Sequence, residues 1–124
     1  MKLNPDCVRD ILLTLESKTE YGTIVSISTD DERLRSYTAA ELLYHLNQCE
    51  MTGFFYNPSW DLSGNFSVMD ITPSAHEFLA NIRNDTNWNK VKDVSKKIGS
   101  DSLSVIKDIA IGIISEIVKG SLNA

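Results

Sequence analysis

The chain has 124 residues, 42% of them hydrophobic, and a formal net charge of −5. That is enough apolar chain to bury a core without metal or disulfide staples, and too much for a disordered protein. No apolar run approaches the ~20 residues needed to span a bilayer, and the opening Met1-Lys2-Leu3-Asn4-Pro5-Asp6 lacks the apolar stretch of a signal peptide. A cytoplasmic protein with no membrane contact is expected.

The charge is uneven. Residues 1–35 carry five basic and seven acidic side chains, whereas residues 36–82 carry five acidic ones (Glu41, Glu50, Asp61, Asp70, Glu77) and no Lys or Arg. Residues 83–97 reverse the sign, with Arg83, Lys90, Lys92, Lys96 and Lys97 against Asp85 and Asp93. The acidic middle would repel phosphate and the basic segment could attract it. Cys7 and Cys49 stand alone on apolar helix faces and read as small buried hydrophobes in a reducing compartment.

The first helix is expected from Pro5 to about Ser17. Asn4 is its N-cap, Pro5 suits the first helical position, and Leu3 with Val8 can form a hydrophobic staple. Val8, Ile11, Leu12 and Leu15 make its buried stripe. After Gly22 the β-branched run Thr23-Ile24-Val25-Ser26-Ile27-Ser28 reads as a strand. Thr29-Asp30-Asp31-Glu32 has the pattern of a capping box, but only about one turn can follow before Ser36.

A second capping box, Thr38-Ala39-Ala40-Glu41, opens a helix that runs to about Thr52, with Leu42, Leu46 and Cys49 on one face. Gly53 stops it, and Phe54 to Tyr56 and Phe66 to Ile71 read as two strands joined through the turn formers Asn57-Pro58 and Ser63-Gly64-Asn65. A helix stopped by glycine that leads into an aromatic strand is the order in which a recognition helix enters the wing of a winged helix-turn-helix. Thr72-Pro73 then caps a helix to about Arg83, with Ala75, Phe78, Leu79 and Ile82 inward. Asn84-Asp85-Thr86 breaks and recaps the chain. Trp88, Val91, Val94 and Ile98 mark the next helix, closed by Gly99. The last helix is expected from about Asp101 to Lys119, capped by Ser100 and ended by Gly120.

The opening Met1 to Leu13, the central Tyr44-His45-Leu46-Asn47-Gln48-Cys49-Glu50-Met51-Thr52-Gly53-Phe54 and the block from Asp70 to Arg83 resemble the bacterial and phage proteins grouped as domain of unknown function 2513. The run Thr72-Pro73-Ser74-Ala75-His76-Glu77-Phe78-Leu79 is the most distinctive part. The resemblance implies a winged-helix-like domain often carried on phages or prophages, and it implies no activity and no catalytic residues. The family usually has Leu at the place of Cys49 and Leu-Ile at the place of Phe54-Phe55, changes that conserve a core.

The expected fold is therefore α+β. A winged helix-turn-helix-like domain with a β-hairpin wing covers residues 1–83, and a C-terminal helical extension covers 84–124. The central helix turns Glu41, Tyr44, Asn47, Gln48 and Met51 outward. Asn and Gln can read adenine edges, but phosphate contacts normally supply the affinity and this surface has no cations. Tyr and Met suit a protein interface. Trp60, in the wing, could stack on bases or enter a partner, but more commonly such a residue packs back on the wing. Lys90, Lys92, Lys96 and Lys97 are the candidate phosphate contacts.

His45 lies four residues from both Glu41 and Cys49, yet a structural zinc site wants four ligands in recognisable pairs, and neither Cys7 nor His76 forms one. His45 is expected at the edge of the core with a local hydrogen bond. No phosphate-binding glycine loop, nucleophile elbow or paired-cysteine motif is present, so neither an enzyme nor a cofactor is expected.

The last helix carries Leu103, Ile106, Ile109, Ala110, Ile113, Ile114 and Ile117, an arc too wide to leave in water, and self-association into a dimer or higher oligomer is expected through it. The reading that follows is a non-enzymatic winged-helix-like protein-interaction module, with a phage accessory or defence-modulating role suggested by the resemblance. The alternative is a DNA-binding transcriptional regulator that uses the helix at 39–52 and the wing.

Overall fold

In the computed structural model, which describes residues 1–100 and 102–123, the chain is α+β with five α-helices and two small antiparallel sheets. Helix α1 (Pro5–Lys18) starts where Asn4 accepts from the Asp6 N–H, and it buries Cys7, Val8, Ile11, Leu12 and Leu15. Only Val25–Ser26 of the expected first strand pairs, as β1. Ile24 points into solvent while Ile27 is buried, so the β-branched run is mostly unpaired coil. The expected box at Thr29 does not form. A single 3-10 turn, Glu32–Leu34, follows Asp31, whose carboxylate accepts instead from the Ser28 N–H and Lys18.

Helix α2 (Ala39–Met51) does open on the expected box, with Thr38 and Glu41 exchanging hydrogen bonds of 3.0 and 3.1 Å. Gly53, at φ 82°, turns the chain out of it. The next strands are β2 (Phe55–Tyr56), β3 (Ser59–Trp60), β4 (Phe66–Val68) and β5 (Asp70–Ile71). They form one interrupted hairpin: Phe55 lies opposite Ile71, and Trp60 opposite Phe66. The interruption is at Asn57, at φ 49°, opposite Met69. Strand β1 adds to the far side of β4, giving the order β1-β4-β3.

Helix α3 (Pro73–Ile82) buries Ala75, Phe78, Leu79 and Ile82, as its spacing predicts. Helix α4 (Asp85–Ile98) is capped by Asn84 and closed by Gly99 in the left-handed region. Its buried face is Trp88, Val91 and Ser95, so Val94 sits at the edge and Ile98 is exposed. Helix α5 (Leu103–Leu122) is capped by Ser102 rather than Ser100, and the expected start at Asp101 lies outside the described residues. The helix runs through Gly120, which does not take the left-handed turn that ends helices.

The hydrophobic core crosses the expected boundary at residue 83. Trp88, Val91, Leu103, Ile106 and Ala110 belong to the same cluster as Leu12, Leu46 and Phe78. Helix α5 lies across α3 and α4 and completes this shared core. No helix among the described residues is long and apolar enough to cross a membrane.

Candidate interaction surface

The conspicuous sequence blocks are largely used inside the fold. Thr72 accepts from the Ala75 N–H to cap α3, donates its hydroxyl to the Gly53 carbonyl at 2.7 Å, and bonds the Phe54 carbonyl through its own N–H at 2.9 Å. Phe78 stacks on Phe54 with ring centroids 5.5 Å apart. The Thr-Pro-x-x-His-Glu-Phe-Leu block therefore welds the start of α3 to the base of the hairpin. Arg9 donates to the Ile82 and Arg83 carbonyls at the end of α3, and pairs with Asp85 at 2.8 Å. Arg83 grips Glu16 through both terminal guanidinium nitrogens.

Asp6 takes hydrogen bonds from Trp88 Nε1 at 2.8 Å and Lys92 Nζ at 3.0 Å. Burial opposes the charge on Asp6, but those two bonds, with the charges of Lys92 and Arg9, hold its carboxyl below the usual value. Lys92 is consequently bound within the fold and is withdrawn from the candidate phosphate contacts. Lys90, Lys96 and Lys97 remain exposed on α4.

His45 is 1% exposed and bridges two helices, which corrects the expected edge position. Its Nε2 accepts from the Asn4 N–H at 2.8 Å, so the network assigns the proton to Nδ1, which donates to the Glu41 carbonyl at 2.7 Å. Both ring nitrogens are thereby occupied. Cys7 lies in the neighbourhood of Asp10, to which Tyr37 donates its hydroxyl at 2.7 Å. Burial first, then the negative charges of Asp10 and Glu41, push the Cys7 thiol up to about 12, and burial likewise raises Cys49. Thiols held protonated are poor nucleophiles and poor metal ligands.

On the outer side of α2 a row of side chains is left to solvent. Leu43 is 42% and Met51 66% exposed, with Asn47 exposed between them, a stripe set by spacings of four residues. Leu43 is not among the contacts expected from the sequence, although its spacing to Asn47 and Met51 points to it. The other candidates on the helix are less free. Tyr44 and Gln48 are half-buried, and the Glu41 carboxylate is engaged in the capping box.

Trp60 packs on Phe66 at 5.0 Å between ring centroids, donates Nε1–H to Glu50 Oε2 at 3.3 Å, and keeps 37% of its surface exposed. That bond fixes the hairpin beside the last turns of α2. Tyr44 and Gln48 share a shallow groove of about 420 Å3 with Met1, Lys2, Leu3, Gly99, Ser100, Ser102 and Leu103. The groove brings one cation, Lys2, to the edge of the α2 face, a contact invisible in the residue 36–82 segment by itself.

The expected oligomer seam divides in two. Leu103, Ile106 and Ala110 are buried against the chain's own helices and are unavailable to a second copy. Ile109, Ile113 and Ile114 are half-buried, and Ile117 is 40% exposed.

Residues 2–101 match the family described as hypothetical protein (DUF2513). An uncharacterized protein of Haemophilus influenzae is 32% identical over 122 residues, covering 95% of this chain and 99% of that protein. Neither match speaks to a phage or prophage origin, and no solved structure matches the chain. With most of its length inside the family match, and a full-length relative beside it, the chain belongs to the DUF2513 family.

Proposed function

We propose that this chain is a non-enzymatic, winged-helix-like protein-interaction module whose working face is the outer side of α2 together with Trp60. The order of elements supports the winged-helix reading: α1, β1, a single helical turn, α2, then a hairpin whose inner strand pairs with β1. The observation that carries the function is the α2 stripe. Leu43 and Met51 are exposed on α2, and the part-exposed Trp60 is tied to Glu50 of the same helix, all within a segment that has no Lys or Arg. Apolar and aromatic anchors with an acidic border suit a protein partner, and the same surface lacks the cations by which groove-reading helices gain affinity.

One observation favours a second reading, a DNA-binding regulator. Lys2 borders Gln48, and Asn47 is free to meet a base edge, with Lys96 and Lys97 on the last turn of α4 as backbone contacts. A salt series with a labelled duplex separates the two. The interaction reading predicts weak or no binding at ~150 mM salt. Tight binding with a steep salt slope, lost on Asn47→Ala or Gln48→Ala, would establish the regulator instead.

A further inference from the structure

We propose that the groove between α4 and α5 receives the same groove of a second copy, so that the chain forms a two-fold dimer through the C-terminal half of α5. This dimer is independent of the α2 face. The groove holds about 420 Å3 and is lined by Lys90 and Val94 of α4 and by Ile109, Gly112, Ile113, Glu116 and Ile117 of α5. Its floor is aliphatic and no polar groups converge in it, which is unlike a small-molecule site.

Three observations point to a second copy. Gly112 is unfavourable in the middle of a helix, yet a Cβ there would meet no atom within 4 Å, so nothing in its own chain requires a bare backbone. An approaching helix would. The groove also carries one cation, Lys90, and one anion, Glu116, whose ion pair among the described residues is with the exposed Lys119, at 3.8 Å. A rim with both signs complements itself under a two-fold axis, each Lys90 meeting Glu116 of the second copy. Finally, no residue of α5 after Ala110 is fully buried, so the later turns keep part of their apolar surface open on every copy.

The area sets the strength. Four part-exposed aliphatic side chains with the stems of Lys90 and Glu116 offer much less than the ~800 Å2 per partner of a standard interface. An interface of that size makes the dimer a weak, reversible one.

Sedimentation velocity on the full chain between about 5 and about 500 µM at low salt tests it. The intact protein should shift from monomer to dimer across that range. Lys90→Glu and Glu116→Lys should each remain monomeric with unchanged helical circular dichroism, since both side chains are exposed. Mixed one to one, the two variants should regain the dimer, because each then offers the charge the other lacks. An intact chain that stays monomeric throughout, single variants that dimerise like the intact protein, or a mixture that stays monomeric would each overturn the proposal.

Discussion

The α1–α3–α4 joint and the outer face of α2 use their polar side chains in opposite ways. At the joint, Asp6, Arg9, Glu16, Arg83, Asp85 and Lys92 are engaged with one another, with Trp88 or with helix-end carbonyls. On α2, Asn47 and Met51 face water, and Leu43 does so at an apolar cost that the fold itself does not require. The charged residues that attract attention in the sequence thus hold helices together, while the less conspicuous neutral ones are free to meet a partner. Changes at the joint and core should act on stability, and changes on the α2 stripe should leave stability alone.

The largest effect is expected beneath that stripe. Leu46 is fully buried, and Leu46→Ala should destabilise by about 2–5 kcal/mol in urea unfolding, as buried leucine truncations do. His45→Leu should cost about 1–3 kcal/mol, because it keeps the apolar volume but leaves the Asn4 N–H without its acceptor. A cost near zero would mean that water replaces the imidazole.

Asp6 sharpens the contrast through pH. Its folded-state value is lowered, so the stability it contributes is present above the ordinary carboxylate range and is lost as pH falls through the lowered value. Asp6→Asn should therefore flatten the loss of stability below about pH 4 and lower the plateau above it. The smallest effect is expected at the surface, where Leu43→Asp and Met51→Asp should each change stability by no more than about 0.5 kcal/mol. A large loss from either would make the stripe a hidden part of the core.

How far the sequence carried depended on whether an interaction is local. The box at Thr38 and Glu41, the cap at Thr72 and the inward set Ala75, Phe78, Leu79 and Ile82 each lie within one or two helical turns, and all are present. The box expected at Thr29 fails because Lys18, from α1, draws Asp31 into a different arrangement. His45 was misplaced because its second partner, Asn4, is 41 residues away. The breadth of the apolar arc on α5 was legible, but periodicity does not say whose surface covers it. The chain's own α3 and α4 take Leu103, Ile106 and Ala110 and leave the later turns open. In the candidate surface, Asn47 and Met51 were found by the period of α2, whereas the tie from Trp60 to Glu50 needed the hairpin to fold back.

The central claim is that the outer face of α2 meets a protein. A photo-crosslinking side chain in place of Met51, in the full chain inside its native cells, samples that face directly. The account predicts an adduct that resists nuclease, is destroyed by protease, and disappears when Leu43→Asp is added. A nuclease-sensitive adduct, or a protein adduct indifferent to Leu43→Asp, would contradict it.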